Sequence, residues 1–548
     1  MDHATPVKQA SRSRSAVASA AFASALLIAI SATPARAQAF ADLKSALVDY
    51  SKADVEPRKA CEALGKFKAK EIVQIAAAAM PAASGAPAHC RVTGLLAPEI
   101  AFEVSLPSKW NGRFYMIGNG GHAGEALDDP ARAAQRIAAL QLGFAFAQTN
   151  TGHDARKEPG GTFVLSNPQK AIDYAWRAVH LTATTAKDIT KDYYGKAISR
   201  AYWNSCSNGG RQGLIEAERF PDDFDGIVAN APWVDQTGFT IGSLWNQKAL
   251  SAAPVTAAKL ALVAGKVMAK CDAIDGLKDG LIDDPRKCDF DPRRDVPACT
   301  AGADSADCLT GAQAETVAKI YSGPMSNGKP YFPGYMPGSE AVTSGGFGAA
   351  AGSAPVSGWM NVIVSAQPDD KPADFNLGEN TMRYLVFNPP KPDYDYKTFD
   401  FDRDTHLLDN WSKLADAKNP DLSKFHKRGG KLLMTYGWAD PILEPMAGVN
   451  YYEQAVAKNG PATSDFFRLF MVPGMAHCGG GVGPDRHDPV TAMINWVEKD
   501  KAPASMVASR VVGGQVVRTR PLCAYPQVAR YAGQGSIDDA SNFRCVAP

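Results

Sequence analysis

Short apolar runs bounded by Gly, Asn and Asp recur through the first half of the chain, at residues 113–117, 144–148, 200–204 and 226–229. Runs so short and so continuously apolar read as strands buried on both faces, the pattern of a mostly parallel sheet. Between them the apolar positions switch to helical spacing, as over residues 168–191, where Ile172, Ala175, Val179 and Ala183 share a face. Alternation of this kind predicts an α/β core. From about residue 235 to residue 419 the chain becomes rich in Gly, Pro, Ser and Asp and loses clear periodicity. A stretch of that length is too long for a plain loop, so it is expected to form an inserted lid domain between two parts of the core, residues 38–234 and 420–548. The α/β pattern then resumes, with strands predicted at 431–436 and 467–472 and a last helix at 489–498. Neither an internal repeat nor a low-complexity segment interrupts it.

The first residues follow another rule. Arg12 and Arg14 precede an apolar run at residues 16–30, and Ala35-Arg36-Ala37 follows it. This order predicts a secretory signal peptide over residues 1–37, cut after Ala37. The run is shorter than the roughly 20 residues that a bilayer core requires, and no later stretch is long and charge-free enough to span one. A secreted or periplasmic protein, free of the membrane once cleaved, is the expectation. With 45% hydrophobic and 21% charged residues the 548-residue chain has the balance of an ordinary soluble protein. Its net charge of +1 offers no basic field for nucleic acid.

Export would let the ten cysteines pair. Local spacing offers Cys61 with Cys90, Cys271 with Cys288, Cys299 with Cys308 and Cys523 with Cys545 as a first guess, which leaves Cys206 and Cys478 as a remainder. Spacing does not decide connectivity, since ten cysteines allow on the order of a thousand pairings.

Chemistry concentrates where predicted strands end. The strand ending at Asn204 runs into Ser205-Cys206-Ser207-Asn208-Gly209-Gly210 and then a helical stretch at 212–219. A serine at a tight strand-to-helix turn, flanked two residues away by small side chains, is the form of a nucleophile elbow, here with Ser205 where Gly is usual. Alone it is a weak signal. Asp440 follows the strand at 431–436, and His477 follows the strand at 467–472, so nucleophile, acid and histidine come in the chain order of α/β-hydrolases. Such groups collect at the carboxyl edge of an open sheet. Ser207, His477 and Asp440 are therefore the candidate triad, with the backbone N–H groups of Asn208 and Gly121 as candidate oxyanion donors. Gly121 belongs to the glycine-rich run Gly118-Asn119-Gly120-Gly121, just past an early strand; the run lacks a P-loop lysine and dinucleotide spacing. His153 also follows a strand but precedes the nucleophile, which makes it the lesser choice of base, and His122 reads as a loop residue. A noncatalytic binding protein and a peptidase of the same fold are the alternatives in other classes; the complete triad argues against the first.

These residues resemble those of the tannase and feruloyl esterase family, in which nucleophile and histidine each adjoin a cysteine, here Cys206-Ser207 and His477-Cys478. The resemblance extends through Trp110-Asn111-Gly112-Arg113, Phe224-Asp225-Gly226-Ile227-Val228 and Arg520-Pro521-Leu522-Cys523. It implies a disulfide between Cys206 and Cys478 beneath the triad. It also implies one structural calcium ion, held by the side chains of Asp272, Asp275 and Asp279 and the backbone oxygens of Leu277 and Leu281, in a loop flanked by Cys271 and Cys288. Hard oxygen donors on a glycine-containing loop suit that ion, although the spacing is not that of an EF-hand. No organic cofactor is implied. The substrates implied are small aromatic esters, of gallate, ferulate and related acids, with a terephthalate monoester hydrolase among the relatives. In that relative a lid arginine grips the substrate carboxylate. Here Asn376 and Asn380 stand in the corresponding stretch, and Arg383 reads as part of the lid framework.

Overall fold

Three strands that the apolar pattern did not flag come first: β1 (Ile72–Met80), β2 (His89–Leu96) and β3 (Ile100–Pro107). The flagged runs follow as β4 (Arg113–Met116), β5 (Ala145–Thr149), β6 (Arg200–Cys206), β7 (Gly226–Asn230), β8 (Lys431–Gly437) and β9 (Phe467–Val472). The computed structural model describes Met1 and residues 39–300, 302–341, 343–344, 356–365 and 370–548. Residues 2–37 of the expected signal peptide lie outside the described residues.

All nine strands form one sheet in the order β1-β2-β3-β5-β4-β6-β7-β8-β9. Pairing is antiparallel from β1 to β5 and parallel from β5 to β9. Alternate residues of the parallel strands feed separate cores. Phe114, Met116, Trp203, Ile227 and Leu432 join one, whereas Tyr115, Tyr202, Val228, Leu433 and Phe470 join the other. Burial on both faces is why these strands read as unbroken apolar runs. In contrast β1 is rich in alanine and exposed at most alternate positions, so its strand state comes from pairing with β2 more than from its own residues.

Helices α1 (Pro130–Gln141), α2 (Ala178–Tyr194) and α3 (Asn208–Arg219) connect the strands of the first part. The helix expected over 168–191 is broken: a short turn at Gln169–Ile172 and a π-helical turn at Asp173–Arg177 precede α2. Between β7 and β8 lie α4 (Gln236–Ala252), α5 (Ala257–Cys271), α6 (Gly311–Ser322) and α7 (Ala373–Asn380). The other described strands there are two-residue ribbons, and none joins the nine-stranded sheet. The weak periodicity of this insertion has a physical origin in α4, whose first nine residues are all buried. A helix enclosed on all sides carries no amphipathic stripe.

Helices α8 (Pro445–Asn459) and α9 (Pro489–Lys499) complete the second part. Beyond α9 the chain forms two pairs outside the main sheet, β10 (Ser505–Val512) with β11 (Gln515–Cys523) and β12 (Val528–Tyr531) with β13 (Phe543–Val546). Sequence patterning did not anticipate them. Disulfides join Cys61–Cys90, Cys206–Cys478, Cys271–Cys288, Cys299–Cys308 and Cys523–Cys545. Among the described residues no single helix is long and apolar enough to cross a membrane.

Gly437 ends β8 where the strand passes against the turn after β9, and a Cβ there would collide with the Met475 carbonyl oxygen. Gly437→Ala is expected to destabilise the protein by about 1–3 kcal/mol, the usual cost of overpacking. Urea unfolding measures it. An unchanged midpoint would contradict this close approach.

Candidate active site

β6 ends at Cys206 and α3 begins at Asn208, so Ser207 alone makes the turn between them. Its backbone is held at φ 64° and ψ −127°, a region that residues with a Cβ rarely occupy. The surroundings explain the small residues of the motif. A Cβ on Gly210 would lie 2.7 Å from the Asn230 carbonyl oxygen and 2.8 Å from Pro232 Cα. The Ser207 N–H donates to the Asn230 carbonyl (3.0 Å), and the Ser207 carbonyl accepts from Trp233 N–H (3.1 Å). Below the turn a buried polar ladder crosses four strands. Asn204 donates to Tyr115 Oη (2.9 Å), Asn230 donates to Asn204 Oδ1 (2.9 Å), and Thr435 donates to Asn230 Oδ1 (2.7 Å).

Asp440 and His477 occupy the loops after β8 and β9. These loops are stitched together by Trp438 N–H to Val472 O (3.0 Å) and Ala439 N–H to Met475 O (3.1 Å). The Asp440 carboxylate takes the N–H groups of Ile442 (2.8 Å) and Leu443 (3.0 Å) on Oδ1, and its Oδ2 lies 2.7 Å from His477 Nδ1. Both side chains are fully buried. A carboxylate fixed this way sets the ring orientation and the tautomer, placing the proton on Nδ1. The disulfide Cys206–Cys478 brings the neighbours of Ser207 and His477 to a Cα separation of 6.0 Å. A His477 ring nitrogen lies within 4.8 Å of both sulfurs.

The loop after β4 packs on the start of α3. Asn119 N–H donates to Gln212 Oε1 (3.1 Å), and a Cβ on Gly118 would lie 2.8 Å from Gly209 Cα. Gly120 N–H is taken by Glu125 Oε1 (2.9 Å). Gly121, at φ 38°, follows. Its carbonyl accepts from the Tyr174 hydroxyl (3.0 Å), which also reaches Asn208 Oδ1 (3.3 Å). The two candidate oxyanion residues thus share a contact that sequence reasoning did not identify.

The other histidines are placed differently. His122 is buried with Nε2 3.0 Å from Thr381 Oγ1, and burial pushes it down to about 3. His153 stacks on Phe163 at 4.2 Å and is pushed down by burial to about 4. Neither makes a bond to a carboxylate like that of His477 to Asp440. A further group, His180, Glu216 and Asp223, brings ligand-type atoms within 4.8 Å of one another. There His180 Nδ1 contacts Asp223 Oδ2 (2.6 Å) and the Lys187 ammonium lies 3.7 Å from Asp223 Oδ1, while burial and the charge of Asp223 hold the Glu216 carboxyl well above its usual range.

In the loop from Asp272 to Leu281 each predicted carboxylate curls the backbone. Asp272 Oδ1 accepts from the N–H groups of Asp279 (3.2 Å) and Gly280 (2.9 Å), Asp275 Oδ1 from Leu277 (2.9 Å), and Asp279 Oδ1 from Leu281 (3.2 Å). Three partners from the C-terminal strands were not foreseen. Arg520 pairs with Asp279 Oδ2, Arg518 donates to the Asp279 carbonyl (3.0 Å), and Arg530 donates to the Asp275 carbonyl (2.9 Å). The neighbouring Asp283 carboxyl is pushed up to about 8 by burial and by the charge of Asp275. The carboxyls of Asp272, Asp275, Asp279 and Asp283 and the loop carbonyls are hard oxygen donors, the type that a calcium ion takes.

With this geometry in view, comparison with known proteins identifies the lineage. The model of the family described as tannase and feruloyl esterase matches residues 84–546. The chain belongs to that family. It is 35% identical over 512 residues to an esterase of Xanthomonas campestris pv. campestris, covering 84% of each chain. Over 562 residues, 90% of this chain and 92% of the relative, it is 33% identical to mono(2-hydroxyethyl) terephthalate hydrolase of Piscinibacter sakaiensis. The crystal structure of feruloyl esterase B from Aspergillus oryzae superposes with a TM-score of 0.73 at 30% identity, covering 89% of this chain and 99% of that one. Membership makes this protein a carboxylic ester hydrolase with an α/β fold.

Replacing Cys206 and Cys478 together with Ala is expected to lower ester turnover by about 10- to 100-fold in folded protein, since a shift of roughly 1 Å in a catalytic group has that effect. Circular dichroism alongside rate measurement checks it. Full activity in the double variant would show that the bridge does not set the geometry.

Proposed function

We propose that this protein is an exported serine esterase acting on esters of aromatic acids through Ser207, His477 and Asp440. The observation that carries this reading is the arrangement around the turn. A strained serine between strand and helix is tied by a disulfide to a histidine whose Nδ1 meets a buried, doubly anchored carboxylate. In the reaction Ser207 Oγ attacks the ester carbonyl while His477 Nε2 takes its proton. The alkoxide leaves with that proton, and an acyl-enzyme remains. Water then attacks the acyl carbon with His477 as base again, releasing the acid and restoring Ser207. Asp440 stabilises the imidazolium at each stage without taking the proton. The N–H groups of Asn208 and Gly121 are the proposed donors to the oxyanion.

The relatives' names frame the substrate class, esters of ferulic and terephthalic acids. The insertion between β7 and β8 is proposed to act as the lid that shapes the pocket. Within it Arg383 is held by Glu379 (2.9 Å) and the Tyr394 carbonyl (3.3 Å), so its guanidinium is engaged in the framework. Asn376 and Asn380 bond to each other. With Arg383 so engaged, the described residues 376–383 hold no free bidentate cation, and a substrate's second carboxylate lacks a matched partner in that stretch. Neutral hydroxylated aromatic esters are the better fit. Five disulfides agree with an oxidising compartment and thus with export.

Calcium is proposed in the loop of Asp272, Asp275 and Asp279 with the carbonyls of Leu277 and Leu281. When bound it would supply charge compensation and cross-linking to the loop, with no part in the ester chemistry.

Two experiments test these readings. A panel of galloyl, feruloyl and terephthalate monoesters at equal concentration should show the hydroxylated esters preferred by at least about 10-fold in kcat/KM, about 1.4 kcal/mol at the transition state. Turnover should vanish in Ser207→Ala. Efficient hydrolysis of the terephthalate monoester alone would overturn the ranking. Adding calcium to chelator-treated protein should raise the melting temperature by mass action, and Asp275→Ala should abolish that gain. An equal rise in the variant would place the ion elsewhere.

A further inference from the structure

We propose that Tyr174 is a positioning residue of the oxyanion hole, its hydroxyl pinning the two residues that supply the donors, an inference that rests on the catalytic reading above. Gly121 and Asn208 follow different strands, β4 and β6; Gly118 and Asn119 hold the first loop against α3, and Gly121 lies beyond those contacts. Tyr174 spans Gly121 and Asn208. Its hydroxyl donates to the Gly121 carbonyl at 3.0 Å, with Asn208 Oδ1 at 3.3 Å as second acceptor, and itself accepts from Gln236 Nε2 at 2.9 Å.

The tyrosine is in turn locked on every side. Gln236 Oε1 accepts from Trp411 Nε1 (2.9 Å), so the amide must present its nitrogen to the phenol. The Trp411 ring lies nearly parallel to that of Tyr174, 6.2 Å away at 8°, and the Arg211 guanidinium sits 5.1 Å from its centroid. Arg211 also donates to Asn208 Oδ1 (2.7 Å) through Nε while its Nη1 holds the carbonyls of both Ala175 (3.0 Å) and Ala415 (2.6 Å). The ring is fully buried, and burial raises the phenol above its ordinary value, so it stays a neutral donor. Tyr174 lies in the π-helical turn Asp173–Arg177, the kind of irregular turn that often marks functional positions.

A ring that served only to fill the core would need no hydroxyl. Here the hydroxyl's acceptors are the two oxyanion residues, and its donor is an amide oriented by a further ring. Gly121 has particular need of such a constraint. Glycine moves among backbone conformations at little cost, and oxyanion donors act through being fixed before charge develops. Because Gln236 opens α4 and Trp411 lies in the insertion, the same chain of bonds ties the hole to the segment proposed as the lid.

The test is Tyr174→Phe, which keeps the ring and removes one oxygen. Its kcat should fall by about 10- to 100-fold, somewhat less than the effect of deleting an oxyanion donor outright, while KM stays within about 2-fold. Affinity for phenylboronic acid, which forms a tetrahedral adduct with the nucleophile, should fall in parallel, and inhibition by benzoate should not change. Gln236→Leu should shift the same readouts in the same direction by a smaller factor, and it carries the test should Tyr174→Phe fail to fold. Unchanged kcat, or equal losses of boronate and benzoate affinity, would overturn the proposal. Ser207→Ala separates the two readings. Boronate affinity that survives in Ser207→Ala removes the catalytic assignment, whereas its loss there with an unaffected Tyr174→Phe removes the positioning role alone.

Discussion

A serine held at φ 64° between a strand and a helix carries backbone strain of roughly 1–3 kcal/mol, and the structure around it is arranged to keep that conformation. The Asn230 and Trp233 backbones bond to it from one side. The Tyr115, Asn204, Asn230 and Thr435 ladder ties the strands under it to one another. The Cys206–Cys478 bridge prevents the elbow from drifting away from the histidine loop, although those cysteines stand 272 positions apart in the sequence. Rotation of the turn to a relaxed conformation would have to break several of these contacts together.

The same logic governs the charged groups. Asp440 is fully buried, but both its oxygens have donors, so its desolvation is offset by directional bonds. His122 and His153 lack such a carboxylate, and burial holds them neutral. The acidic loop beyond α5 uses another solution, with arginines from the C-terminal strands meeting part of its charge. Position in the fold, more than residue type, thus separates a carboxylate-bonded histidine from a packing one.

How much of this was legible in the sequence depended on what each residue faces. β4 to β9 were readable because both sides of each are apolar, and Phe467–Val472 was placed to the residue. β1 was not, because its alanines face solvent at alternate positions and the strand exists by pairing. α4 escaped because complete burial of its first half erases the helical stripe. That Ser207, Asp440 and His477 each follow a strand was legible in the sequence, whereas the bond between His477 and Asp440 comes from the fold. Tyr174, Gln236 and Trp411 were not legible, since residues 62 and 175 positions apart meet only in the folded chain. Arg518, Arg520 and Arg530 were hidden for the same reason, approaching the acidic loop from strands outside the main sheet.

The central claim is that Ser207 is the nucleophile activated by His477. The most direct measurement is labelling with an aryl fluorophosphonate, in which the serine oxygen attacks phosphorus and fluoride departs. A mass increase of one phosphonyl group is expected, mapped by peptide sequencing to Ser207, with no labelling in Ser207→Ala and slow labelling in His477→Ala. A label on any other residue, or none on a protein that turns over esters, would contradict it.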